Sequence, residues 1–158
     1  MALNAEASTR RWLPSHVYAT PDDASSALEL LIACYSASGR PQLGPYVLAV
    51  EHGQTSRLLG HLGFSPLGGE VEVSYAIAES ARGRGYVAES LVNACNWIAD
   101  AFTVSRVVAV TARANVASRR TLERASFVHS QDEDMVFQGN QETVSRYCWH
   151  APANRGAA

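Results

Sequence analysis

Cysteine is scarce in this chain: Cys34, Cys95 and Cys148 are the whole complement, and no two form a CxxC pair. An odd, scattered set argues against a disulfide framework and fits the reducing cytoplasm, each thiol reading as a small buried hydrophobe. Long apolar runs are missing as well. Runs such as Val107 to Val110 fall far short of the roughly 20 residues that span a bilayer, so no membrane partner is expected. Charge of one sign is not in excess either. A net charge of −2 gives no electrostatic reason to expect nucleic acid. The histidines at 16, 52, 61, 129 and 150 form no HExxH or other paired spacing, so no metal site is expected. The opening "MALNAEASTRRW" lacks the basic-then-apolar order of a signal peptide.

What is present is ordinary for a globular fold: 47% hydrophobic and 18% charged residues over 158 positions. The economical expectation is one domain over 1–158, with 1–9 and 152–158 frayed. "TPDDASSALELLIACYSASGRP" reads as a helix. Thr20 to Asp23 supply capping oxygens, Leu28, Leu31, Ile32 and Tyr35 form the apolar stripe, and Gly39 and Pro41 end it. Strands are expected at 46–52, 57–64 and 70–77, separated by short turns as in an antiparallel meander. In the third, Val71, Val73, Tyr75 and Ile77 alternate with Glu70, Glu72, Ser74 and Ala76. From Gly85 the period becomes helical, with Val87, Leu91, Ala94, Cys95, Ile98 and Phe102 on one stripe. A buried strand at 106–111, a helix over 116–125 and strands near 127–138 and 143–150 complete a mixed α/β sheet.

The most informative stretch is "ARGRGYVAES", where two glycines sit between and beside two arginines at the start of a helix. That combination suits an anion. A P-loop is excluded because no GK[ST] follows. Gly83, Gly85 and Ala88 formally satisfy the dinucleotide pattern G-x-G-x-x-A. That fold, however, wants its first glycine directly at the strand end and an acid on the next strand. Here Ala78 to Arg82 intervene, and the next strand leads into Thr111 and Arg113. A glycine-rich turn with surface arginines is the plainer competitor.

"ARANVASRRTLERASF" at 112–127 decides between them. Asn115 follows a buried strand, where it can cap the next helix, and Ser118 lies three residues on. Taken together, "RGRGYVAES" and "NVASRRTLERASF" resemble the pyrophosphate loop and the N-x-x-[A/S] segment of the GNAT superfamily of CoA-dependent N-acetyltransferases. "EVSYAI", Glu89, Arg106 and Ser118 are similar to the branch containing ribosomal-protein N-terminal acetyltransferases and many small bacterial acetyltransferases. The close match spans roughly residues 70 to 128.

The resemblance implies a meander followed by a splayed parallel strand pair, with acetyl-CoA as cosubstrate. The N–H groups of Arg84, Gly85, Tyr86, Val87 and Ala88 would hold the pyrophosphate, with Arg82, Gly83 and Arg84 completing the loop. The pantetheine arm would lie along the backbone of Val73, Tyr75 and Ile77, with Asn115 on the far side. For the chemistry, an amine with a pKa of roughly 10 must lose a proton at neutral pH. Glu72 is the candidate base, with Glu70 as substitute, and a backbone N–H of the same strand would polarise the carbonyl. The tyrosine that many superfamily members place seven residues after the asparagine is Leu122 here; Ser118 is instead expected at the CoA sulfur. Val87 and Ser126 are further departures, the latter costly if its φ is positive.

The acceptor is an amine: a peptide N-terminus, including that of a ribosomal protein, or a small amine such as an antibiotic or polyamine. Tyr46, His61, Glu70 and the acidic stretch "QDEDM", read as a solvated turn, could meet it. A non-catalytic acyl-CoA sensor is the alternative of another class. The branch also implies a possible homodimer.

Overall fold

The computed structural model describes residues 5–152. Helix α1 (Ala7–Trp12) and a 3₁₀ turn (Pro14–His16) lead into helix α2 (Pro21–Ser38). Residues 1–4 and 153–158 lie outside the described residues, but 6–9, expected to fray, are held. Thr9 is buried, and Arg82 Nη2 donates to Glu6 Oε2 at 2.7 Å. Local sequence pattern carries no trace of a pairing between residues so far apart.

Helix α2 has the anticipated ends. Thr20 and Asp23 form a reciprocal capping box, and Gly39 closes the helix in the left-handed conformation. Its inward face differs from the expected stripe. Ala24, Ala27, Leu31 and Cys34 are half-buried, whereas Leu28, Ile32 and Tyr35 are exposed, as is Leu30. The small side chains at helical spacing let the helix border the edge strand, and the larger ones are turned outward.

Strands β1 (Tyr46–Glu51), β2 (Leu58–Leu67) and β3 (Glu70–Ile77) form the antiparallel meander, with β2 running three residues beyond its expected end. Helix α3 (Tyr86–Phe102), strand β4 (Arg106–Ala112), helix α4 (Val116–Arg124) and the hairpin β5 (Val128–Phe137) and β6 (Asn140–His150) follow. The six strands make one sheet in the order β1-β2-β3-β4-β6-β5, and only β3 and β4 are parallel neighbours. "QDEDM" lies within β5 rather than in a turn: Asp132 Oδ1 accepts from Ser145 Oγ of β6 at 2.7 Å, and strand pairing extends through the acids.

The apolar stripe of α3 is the centre of the core. Leu91, Cys95 and Ile98 are fully excluded from solvent and cluster with Leu62 and Phe64 of β2, Val71 and Val73 of β3, and Val107 of β4. Burying a side chain of that size contributes about 1.5–3 kcal/mol. Leu122, Phe127 and Tyr147 extend the same cluster toward α4 and the hairpin. Ser126, just ahead of Phe127, does adopt a positive φ, of 64°. This packing fixes α3 and α4 beside the one place where the sheet opens.

Candidate active site

Parallel strands need continuous pairing to stay together, and β3 and β4 have little. Their register is limited to Val71 opposite Val107 and Glu72 opposite Val108. Beyond these pairs the strands part, leaving a cleft of about 450 Å³ walled by residues 73–77 of β3 and 109–112 of β4. From Val73 onward, the edge of β3 facing β4 has no strand partner, so its backbone groups are available to a ligand that pairs like an extra strand.

At one end of the cleft lies the glycine loop. Gly83 and Gly85 have φ of 74° and 84°, and Gly85 is the residue that opens α3. Side chains adopt that backbone at a cost, and the space a Cβ would fill is open at both positions. The first helical bond after the cap is Glu89 N–H to Gly85 O, at 3.0 Å. The N–H groups of Tyr86, Val87 and Ala88 therefore precede the intrahelical ladder, and these residues line the cleft. Unpaired amides plus the positive end of the helix dipole make an anion site.

At the other end, where pairing stops, sit two glutamates in different surroundings. Arg106 Nη1 lies 2.9 Å from Glu70 Oε1, an ion pair without hydrogen-bond alignment, and Arg146 Nη2 donates to Glu70 Oε2. Glu72 is half-buried, and burial pushes its carboxyl above the usual range, a shift that the Arg146 charge partly opposes. Glu70 is committed to two guanidiniums, whereas Glu72, disfavoured as an anion, is the better placed of the two to take up a proton.

A family model for the acetyltransferase (GNAT) domain matches residues 1–128. The chain belongs to the GNAT acetyltransferase family. A curated relative, the uncharacterized N-acetyltransferase YjdG of Bacillus subtilis (strain 168), is 35% identical over 69 residues, covering 44% of this chain and 41% of that protein. The matched segment is thus less than half of that relative's length. Among solved structures, RimL, a ribosomal L7/L12 alpha-N-protein acetyltransferase in complex with coenzyme A, superposes with a TM-score of 0.81 at 18% identity, covering 97% of this chain and 86% of that one. An acetyltransferase of the GNAT family from Bacillus anthracis gives 0.78 at 14% identity, covering 94% and 85%. At these identities the likeness to solved structures is one of fold.

Within this GNAT fold, Val73, Tyr75, Ile77, Arg82, Gly83, Gly85, Tyr86, Val87, Ala88, Asn115 and Ser118 all line the one cleft. Arg84 is exposed and Glu72 stands at the last paired position; neither is a cleft wall. Arg82 is already engaged: its Nε and Nη2 donate to Ile77 O at 3.2 and 3.0 Å, and Nη1 to Glu79 Oε1 at 3.3 Å, besides the bond to Glu6. It fastens the loop, and a phosphate would have to share it. Asn115 Oδ1 accepts from Ser118 N–H at 3.2 Å, so the capping role is realised. Val87 turns its side chain into the core stripe of α3.

Other parts of the site were missed by sequence reasoning. Ser8, Thr9, Trp12 and Leu13 form a wall of the cleft, contributed by a helix too short for a periodic signal. The clamp on Glu70 also had no local signature, since Arg146 lies 76 residues away. Of the acceptor candidates, Tyr46 packs among Tyr35, Trp97 and Phe102, and His61 lies against His16, Nε2 to Nδ1 at 3.2 Å. The cations on the cleft wall, Arg82, Arg120 and Arg124, are arginines, as are all 13 basic side chains of the 158 residues.

Proposed function

We propose that the protein is a cytoplasmic acetyl-CoA-dependent N-acetyltransferase that moves an acetyl group to a primary amine by direct attack in a ternary complex, the acceptor being a protein or peptide N-terminus. One observation carries this reading: the unpaired edge of β3 and the uncapped amides of α3 line a single cleft, and Glu72 stands at the last paired position, where that cleft opens. The residues fit the cosubstrate, since two positive-φ glycines leave open space where a pyrophosphate must approach the amides. Acetyl-CoA, when bound, supplies an acetyl group activated as a thioester.

Each residue then has a defined task. The amides of Tyr86 to Ala88 orient the donor through its phosphates. A backbone N–H on the open edge of β3 donates to the thioester carbonyl as negative charge develops there. Glu72 accepts the proton of the attacking amine, directly or through one water, as the C–N bond forms and the C–S bond breaks. Ser118 donates a hydrogen bond to the departing sulfur. The N-terminal acceptor class follows the motif resemblance and the shared fold of the RimL structure. A homodimer belongs to the same reading, and the exposed Leu28, Leu30 and Ile32 of α2 offer it an apolar surface.

The test is CoA release against a panel of peptide N-termini, polyamines and aminoglycosides. Turnover confined to peptides supports the proposal; turnover confined to polyamines or aminoglycosides replaces the acceptor class. Tight acetyl-CoA binding without release for any acceptor favours a sensor, and absence of CoA binding overturns the whole reading.

A further inference from the structure

The hydroxyl of Tyr75 and that of Ser118 meet across the cleft. Tyr75 rises from β3 on the core-facing side, and its oxygen lies 2.8 Å from Ser118 Oγ and 3.1 Å from Ser118 O. Both partners belong to a single residue in the first turn of α4. Ser118 is thereby fixed twice: Asn115 Oδ1 holds its amide, and the phenol meets its hydroxyl. Both side chains line the cleft. The nearest other hydroxyl on α4, that of Thr121, is committed to Ala117 O at 2.9 Å. Leu122, one turn further along, is an apolar part of the wall and 1% exposed. The wall opposite β3 therefore has no phenol of its own, and β3 brings one to it.

We infer that Tyr75 is a positioning residue that turns the Ser118 hydroxyl into the hydrogen-bond donor for the sulfur of bound coenzyme A, an inference that rests on the acetyl-CoA reading above. The phenol proton has two acceptors within reach, Ser118 Oγ at 2.8 Å and Ser118 O at 3.1 Å, and donation to the nearer Oγ is the arrangement that gives Tyr75 this role. That arrangement uses one lone pair of the serine oxygen and leaves the serine proton free for an acceptor in the cleft. Donors in series also polarise one another, so the outer one strengthens.

The magnitudes separate a hydrogen bond from a proton transfer. Burial pushes the Tyr75 phenol up to about 12, whereas a thiol ordinarily ionises near 8.5. The phenol therefore keeps its proton when the thiolate leaves. As the C–S bond breaks, the electron pair stays on sulfur, Ser118 donates a hydrogen bond to it, and Tyr75 holds Ser118 in that role. The thiolate takes its proton from solvent on release.

This can be measured without knowing the acceptor. The ultraviolet absorbance of thiolate, taken as CoA-loaded minus unloaded protein, gives the pKa of the bound CoA thiol. The wild-type protein should lower that pKa relative to free CoA. Tyr75→Phe and Ser118→Ala should each raise it by about one unit, a tenfold loss of thiolate at a given pH. The double variant should go no further than the larger single effect, and Ser118→Thr should restore the wild-type value. Replacing the tyrosines by 3-fluorotyrosine makes the phenol a stronger donor at nearly unchanged volume, so it should lower the bound pKa further and does not depend on Tyr75→Phe folding. A phenol that merely props α4 against β3 would lower the melting temperature on removal and leave the thiol titration unchanged. That result, or a fluorinated protein titrating like the wild type, overturns the inference. A bound thiol titrating as in free CoA also overturns it while leaving the acetyl-CoA reading intact; no CoA binding to the wild type overturns both.

Discussion

The two halves of strand β3 share one backbone direction and one alternation of faces, yet they do different work. The first half, Glu70 to Glu72, is paired with β2 throughout and with β4 at Val71 and Glu72. Its Glu70 is clamped between Arg106 and Arg146. The second half, Val73 to Ile77, is paired only with β2 and faces the cleft. Where the ladder is complete the strand serves stability, and where it is interrupted the same backbone groups are left unpaired, the edge proposed to bind the cosubstrate. The boundary falls at Glu72, a half-buried acid at the last paired position beside the opening.

The sharpest way to break this comparison is to exchange the roles of its two acids. Glu72→Gln should reduce turnover by about a hundredfold or more, within the usual span for loss of a general base. It should leave CoA affinity intact. Because the folded state holds the Glu72 proton more tightly than the unfolded chain, ionisation of Glu72 weakens folding as pH rises through its raised pKa. The same variant should therefore melt at a temperature equal to or about 2 °C above the wild type at pH 7. The turnover of the wild type should rise with pH across that raised value. Glu70→Gln should do the reverse, lowering the melting temperature because Arg106 and Arg146 lose their shared anion. It should change turnover only severalfold, as thermal melts and CoA-release rates would show.

How much of this was legible beforehand divides along the same line. The α3 stripe from Val87 to Ile98 is a local periodicity that the fold follows, and the alternation of β3 holds at Val71 and Val73 but gives way where the cleft opens, with Ala76 buried and Tyr75 and Ile77 half-buried. The glycine loop was legible because positive φ restricts the residue type wherever it occurs. Illegible were the contacts that depend on tertiary closure: Glu6 with Arg82, Glu70 with Arg146, and Tyr75 with Ser118. The apolar surface of α2 misled because helical spacing predicts an amphipathic stripe, not which side of it meets a neighbour. Ala24 and Ala27 turned inward, and Leu28 and Ile32 did not.

Smaller perturbations sharpen the second half of the strand. Gly85→Val places a branched side chain at φ 84° and in the space beside the amides. It should weaken CoA binding about tenfold by calorimetry, from strain of order 1–2 kcal/mol. The least effect should come from His16 and His61, whose pKa values are lowered by burial, and for His61 also by the charge of His16. The unfolded chain binds protons more readily at both, so stability is full above the unfolded value near 6.5 and declines as pH falls through it. Between pH 7.5 and 5.5 the melting temperature should drop by about 2 °C more in the wild type than in His61→Gln.

The all-arginine cation set has a bearing on chemical self-compatibility. A guanidinium remains protonated at neutral pH and has no free lone pair with which to attack a thioester. Without a single lysine, the 158 residues present no ε-amine to the activated acetyl group that the cleft is proposed to hold. Any acetyl-lysine recovered from a reaction with a protein acceptor must therefore have come from the acceptor, so a digest of the mixture distinguishes side-chain transfer from background without separating the two proteins.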